Sequence, residues 1–267
     1  MKKSLSLFIA LLLVPSLFFG ASKKKQEVIR VGVEGYWNPY NFINEDGELT
    51  GFDIDVVHAI NDRIKEDVTI KIERIAWEGL FLALETGRID VIANEIKKNP
   101  AREQRYLYGA HHYNYDYPVI IFKKERTDIN SAEDLFGKKV IIAPGTSYAD
   151  SLDNFNKKNG NKVIPVYTGN DVTMESIFSD IISGRGDAAI ENPVAAEILI
   201  RDKHYPLRYI KLDPELVNPA YIIFRKNKKG QHIKELFDEA LEEIRADGTL
   251  SKLAVKWFGS DTTVKSK

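Results

Sequence analysis

The chain has 267 residues, with 38 basic and 39 acidic side chains for a net charge of −1. Apolar residues make up 43%, enough for real cores in one large or two small domains, which excludes a disordered chain. The basic residues are scattered rather than striped, which speaks against a nucleic-acid footprint, and the absence of cysteine removes disulfides, thiolate zinc sites, thiol catalysis and a lipid-attached N-terminal cysteine.

Met1-Lys2-Lys3 precedes an apolar run over 5–19, broken by Pro15 and followed by Gly20-Ala21-Ser22. This pattern predicts a secretory signal peptide over 1–21, although Phe19 is a poor residue for cleavage after Ala21. An uncleaved anchor is the competing reading, but a spanning helix needs about 18–20 apolar residues. An exported chain without a lipid anchor is expected in a periplasm.

Residues 27–33 alternate as a first strand, and an aromatic loop over 34–40 follows. Asp53 is placed to cap a helix carrying Val56, Val57, Ile60 and Ile64 at helical spacing. Residues 68–75 alternate as a second strand, and 78–84 form a second helix with Leu80, Phe81 and Leu84 inward. Gly87 suits a left-handed helix end. Ile89, Val91 and Ile92 make a short buried strand, followed by a polar loop with Asn94, Glu95, Lys97, Lys98 and Arg102. Ligands of open α/β sheets sit beyond the carboxyl ends of strands, where these polar residues fall.

The same grammar recurs over 183–192: helix, Gly-Arg-x-Asp, small apolar strand, acid–amide pair. Asp90 precedes Asn94 and Glu95 at the offset by which Asp187 precedes Glu191 and Asn192. Two copies with matching flanks favour two similar α/β lobes with a ligand held between them. Two Pro-marked apolar runs, 117–122 and 219–224, are candidates for the strands that cross between lobes; two ordinary strands of one sheet are the alternative. The intervening 138–192 reads as strand, Gly145-Thr146-Ser147 turn, helix, strand (162–166), helix and strand. Two apolar stripes, from Ile233 to Ile244 and from Leu250 to Trp257, predict C-terminal helices, with a polar, flexible tail over 261–267. The adjacent His111 and His112 are a poor metal signal.

Several stretches together resemble the extracytoplasmic solute-binding proteins of polar amino acid ABC importers, family 3. They are Gly51-Phe52-Asp53-Ile54-Asp55, Trp77-Glu78-Gly79-Leu80, Gly87-Arg88-Ile89-Asp90, Pro100-Ala101-Arg102, Gly145-Thr146, Gly184-Arg185-Gly186-Asp187 and Ala246-Asp247-Gly248-Thr249-Leu250 with Lys256-Trp257-Phe258-Gly259, in family order over nearly the whole exported chain. Asn94-Glu95-Ile96 and the residues around Trp257 are most similar to the cystine-binding branch. The resemblance implies a type II periplasmic binding fold: an α/β chain of two lobes joined by two crossing strands, with lobe 1 over 26–117 plus 221–260 and lobe 2 over 118–220. It also implies a monomer that takes a small amino acid or related carboxylate, closes on it by hinge motion and delivers it to a membrane permease, with no cofactor.

Arg102 corresponds to the family arginine that grips the ligand α-carboxylate, a role that suits a bidentate guanidinium; as a residue it also reads as a surface arginine in a helix first turn. Thr146 and Ser147 match the loop that completes the carboxylate site, a role compatible with simple helix capping. Trp37 and Trp77 match residues flanking the ligand side chain, with core packing the alternative. Glu34, at the end of the first strand, is a candidate contact to a ligand donor.

Two departures stand out. The family carries Asp at the position of Asn192, where it pairs with the α-ammonium, and Glu191 beside it is expected to point to the opposite side of the strand. Lys97 stands where the family often has Thr, Ser or Gly. An added cation and a lost anion shift the expected site towards anionic ligands, unless Glu95 or Glu34 supplies the missing charge. The rival class is an enzyme on the same fold, such as a cyclohexadienyl dehydratase, against which the sequence offers no nucleophile–base pair, metal set or cofactor loop.

Overall fold

The computed structural model describes residues 26–265, apart from 67, 170–171 and 214–216. The predicted leader over 1–21 lies outside the described residues. Among the described residues no helix is long and apolar enough to cross a membrane.

The chain opens with β1 (Glu27–Val33), whose Ile29, Val31 and Val33 are fully buried. Three short strands, β2 (Tyr36–Trp37), β3 (Asn41–Ile43) and β4 (Leu49–Thr50), fold the aromatic loop into a small antiparallel sheet that local pattern did not foretell. Helix α1 (Phe52–Ile64) buries Val56, Val57, Ile60 and Ile64 as their spacing predicts. Its cap is Gly51, however, and not Asp53. Gly51 has φ 127°, and a Cβ there would lie 2.3 Å from the Tyr40 carbonyl oxygen, so only glycine fits. Asp53 is drawn instead into the core, where Asn41 Nδ2 and the Tyr113 hydroxyl donate to its two oxygens at 2.7 and 2.8 Å.

Then come β5 (Val68–Arg74), α2 (Trp77–Thr86) and β6 (Val91–Lys97). Gly87 closes α2 at φ 79°, in the left-handed conformation its position predicts. Strand β6 runs three residues beyond the expected polar boundary at Asn94 and is buried throughout. The reason is tertiary: a later antiparallel strand pairs with Ile96 and Lys97 and extends the ladder. The register shifts between Tyr221 and Ile223, opposite the stretch of β6 where Glu95 takes φ 51°. Such a bulge re-aims the side chains around it. The expected polar loop also contains α3 (Pro100–Arg105), with Pro100 at its start and Asn99 accepting from the Arg102 N–H at 2.8 Å.

Strands β7 (Tyr106–Tyr108) and β8 (Asn114–Asp116) complete this part, and β9 (Val119–Lys123) enters a second sheet. There follow β10 (Lys139–Ile142), α4 (Ser147–Lys158), β11 (Ile164–Tyr167), α5 (Met174–Ser183), β12 (Ala188–Glu191), α6 (Pro193–Lys203) and β13 (Leu207–Lys211). β14 (Asn218–Arg225) rejoins the first sheet, and α7 (Lys228–Ala246) and α8 (Thr249–Phe258) cover it. The first sheet has the order β5-β1-β6-β14-β7, with β8 also paired to β14; the second has the order β11-β10-β12-β9-β13.

Each sheet has its own core. Val31, Val91, Phe224 and the apolar faces of α1, α7 and α8 form one; Ile120, Val140, Ile190 and Leu152 belong to another. The chain leaves the first sheet after Asp116 and enters the second at Val119; it leaves the second after Lys211 and rejoins the first at Asn218, and the Leu212 N–H donates to the Pro118 carbonyl at 3.0 Å. Residues 261–263 are not the frayed tail their polarity suggests. Thr262 accepts from the Tyr115 N–H through its carbonyl, its hydroxyl reaches Asn114, and Arg245 and His112 contact the Thr263 carbonyl. Backbone partners, not apolar burial, dock this segment.

Candidate ligand-binding cleft

The two sheets face each other across a cleft of about 870 Å³, open solvent at its mouth included. Trp37 marks the seam: it packs against the core of the first sheet and both apolar clusters of the second. The cleft brings together Glu34, Trp37, Trp77, Asn94, Glu95, Lys97, Arg102, Thr146 and Ser147, nine of the ten residues expected to form it. Asn192, the tenth, is not among its lining residues.

Arg102 is largely buried, and its guanidinium spans the cleft. It donates to the Lys97 carbonyl at 3.3 Å on its own side and to the Gly145 carbonyl at 2.6 Å on the other. It lies 4.9 Å from the Phe81 ring centroid and 5.6 Å from that of Trp77. Burial draws its pKa below the usual arginine range, but arginine keeps its proton in proteins. Opposite, Gly145 at φ 73° leads into α4. Thr146 caps that helix, accepting from the Ala149 N–H at 3.1 Å, so the free N–H groups of the first turn and the guanidinium converge on one wall. That wall suits a carboxylate.

Lys97 departs from its expected role. Its ammonium lies 3.0 Å from Glu95 Oε2 and 3.1 Å from Asp116 Oδ2, all three side chains being buried. Burial opposes its charge, but Asp116 and Glu95 outweigh that and hold its pKa above the ordinary amine range. Burial pushes the Glu95 carboxyl up in turn, against the pull of Lys97. Lys97 is therefore consumed by carboxylates and adds no surplus positive charge. Four glutamates (Glu34, Glu78, Glu95 and Glu191) line the cleft against only Lys97 and Arg102. The expected shift towards anionic ligands is not what this arrangement builds.

The second departure also resolves differently. Side chains 191 and 192 do diverge: Glu191 lines the cleft, whereas Asn192 is not among its lining residues, although its Nδ2 lies 3.5 Å from the hydroxyl of the cleft residue Tyr148. Asn192 Oδ1 accepts from the Val194 N–H at 2.9 Å, at the head of α6, and from the Tyr40 hydroxyl at 3.2 Å. Glu191 was missed because alternation gives the relative direction of neighbours but not which of them faces the ligand. Tyr148 was missed too. It lines the cleft and donates to Asp116, an inter-sheet contact that no local motif signals.

Several buried polar atoms around the cleft make no hydrogen bond within the protein: Asn94 Nδ2, Glu95 Oε1, Asp116 Oδ1 and Thr168 Oγ1. Such groups are costly to bury unless a partner meets them. Among the described residues no cluster of His, Asp and Glu is arranged to hold a metal ion.

Residues 29–260 match the bacterial extracellular solute-binding proteins, family 3. The chain belongs to this family. It is 32% identical over 271 residues to the probable amino-acid-binding protein YxeM of Bacillus subtilis (strain 168), covering 100% of this chain and 99% of that one. It is 31% identical over 243 residues to the L-cystine-binding protein TcyJ of the same organism, covering 91% and 88%. Among solved structures, the probable amino-acid ABC transporter extracellular-binding protein ytmK from Bacillus subtilis superposes with a TM-score of 0.76 at 28% identity, over 89% of this chain and 100% of that one. The family 3 chain has the type II periplasmic binding fold.

Proposed function

We propose that this protein is the substrate-binding component of an ABC importer and captures a small polar amino acid, cystine included, between two lobes. The observation that carries the reading is Arg102, a buried guanidinium shared between β6 and the Gly145 loop in front of α4. A ligand α-carboxylate between them would satisfy the remaining guanidinium donors and the first-turn N–H groups together, and would hold the two sides closed.

In this reading lobe 1 comprises 26–117 and 221–260 and lobe 2 comprises 118–220. The lobes rotate about the two crossings, one at Pro118 and the other ahead of β14, whose Pro219 already pairs with Tyr115 in the first sheet. Trp37 and Trp77 flank the ligand side chain. The closed monomer presents both lobes to a membrane permease from the outer face of the inner membrane, reached by export. The cleft binds and releases its ligand unchanged, because closure needs only differential affinity for the two states.

A thermal-shift screen of the exported chain against amino acids, L-cystine, dicarboxylates and small organic acids tests this. Ligand bound to the folded state raises the melting temperature by mass action. A rise with one or a few L-amino acids, recovered unaltered after incubation, is expected. A rise only with acids lacking an ammonium, or conversion of the bound acid, would overturn it.

A further inference from the structure

Glu191 is the last residue of β12, buried, and part of the cleft wall. Around it the protein supplies anions and hydroxyls. Glu34 reaches the cleft from the end of β1, Asp116 lies on β8, and the Tyr148 hydroxyl on α4 is given to Asp116. The two cations of the cleft are engaged elsewhere: Lys97 with Glu95 and Asp116, and Arg102 with two backbone carbonyls. Among the described residues no lysine or arginine bridges to Glu191. The N–H of Asn192 donates to the Glu191 Oε2 at 3.4 Å. Closing the cleft brings these acids from opposite sides together in a poorly hydrated space, which is unfavourable unless a proton or a cation comes between them.

We propose that Glu191, one position before the amide, is the carboxylate that receives the ligand's ammonium group, with Glu34 closing on the same group from the other side. This rests on the amino acid reading of the cleft. It makes Asn192 a helix-capping residue, and it places the ligand's positive end beside Glu191 and its carboxylate at the head of α4.

A proton balance follows. Burial first, then the fields of Asp116 and Glu34, push Glu191 up to about 8. Near neutral pH its carboxyl therefore holds a proton in most unliganded molecules. An arriving ammonium favours the carboxylate, so that proton leaves for the buffer as the ligand enters. Affinity then rises with pH from 6 towards 8, by up to about tenfold per unit, and levels off above.

The test is calorimetric titration of the exported chain at pH 7 with L-cystine and the common L-amino acids, in phosphate and in Tris, whose ionisation heats differ. About one proton released per ligand is expected, together with the rise in affinity from pH 6 to 8. Glu191→Gln should abolish both and weaken binding by about thirtyfold or more, while its unliganded melting curve reports that it folds. Asn192→Asp should not tighten binding. Folded Glu191→Gln with unchanged affinity, or wild-type binding without proton release, overturns this inference and leaves amino acid capture standing. No response of the wild type to any probe overturns both. Should Glu191→Gln fail to fold, proton release by the wild type decides alone.

Discussion

Two strands end at the cleft with the same two residue types in opposite order: Asn94-Glu95 on β6, and Glu191-Asn192 at the end of β12. In the first, the amide accepts from the Glu34 N–H at 2.8 Å and the acid is held by Lys97 and by Asn114 Nδ2, both at 3.0 Å. In the second, the amide caps α6 and the acid faces the cleft. The difference lies two residues further on. Lys97 follows Glu95 on the same strand, so its ammonium can return to the carboxylate. The equivalent position after Asn192 is Val194, already in a helix. A repeated motif thus sets where a carboxylate sits, and its neighbours set whether that carboxylate is available to a ligand.

The largest expected effect removes the compensation in the first half. Lys97→Met leaves Glu95 and Asp116 buried without their shared cation, a loss of about 3–5 kcal/mol, read as a fall in midpoint on urea unfolding. Adding Glu95→Gln should return part of it, and no return would show that the two acids are not the reason. Next, Arg102→Ala should weaken ligand binding about a hundredfold or more by calorimetry, with little change in fold, because it removes one side of a desolvated charge pair.

In the second half the contrast appears as a pH effect on the unliganded protein. Glu191 has a folded pKa of about 8, above its unfolded value of 4.5, so the stability it contributes is fully present below 4.5 and is lost as pH rises through 8. Glu191→Gln stays neutral. Its melting temperature relative to wild type should therefore climb between pH 5 and 8, by roughly 7–14 °C. The acids of the first half are common to both proteins, so what remains in the difference is Glu191 itself and its interaction with Asp116 and Glu34. A gap that does not change with pH would mean that Glu191 is not the uncompensated acid of the pair. The smallest effect is expected from Tyr148→Phe, which removes the hydroxyl given to Asp116 across the sheets. Affinity should fall by a factor of about 3–10, through faster release.

Much of the framework was legible locally. Gly87 and Gly184 end their helices with φ of 79° and 81°, β1 matches its alternating run, and the stripes of α7 and α8 are buried where the 3.6-residue period puts them. Arg102, Thr146 and the two tryptophans were placed by the family resemblance, because as residues alone they read equally well as a surface arginine in a helix first turn, a helix cap and core aromatics. The length of β6, the small β2–β4 sheet, the withdrawal of Asp53 into the core and the docking of 261–263 were not. Each depends on a partner remote in sequence: β14, the aromatic loop itself, Tyr113, and the Asn114–Tyr115 segment.

Caps, periods and turn residues act over a few positions, so they carry the order of elements and the location of the two strand ends. Charge compensation acts through space. Whether Lys97 serves a ligand or two buried carboxylates, and whether Glu191 or Asn192 faces the cleft, was decided only when β8, β14 and α4 closed around them. In a low-dielectric interior the nearest opposite charge determines what a side chain is free to bind, and that neighbour is a product of the tertiary fold.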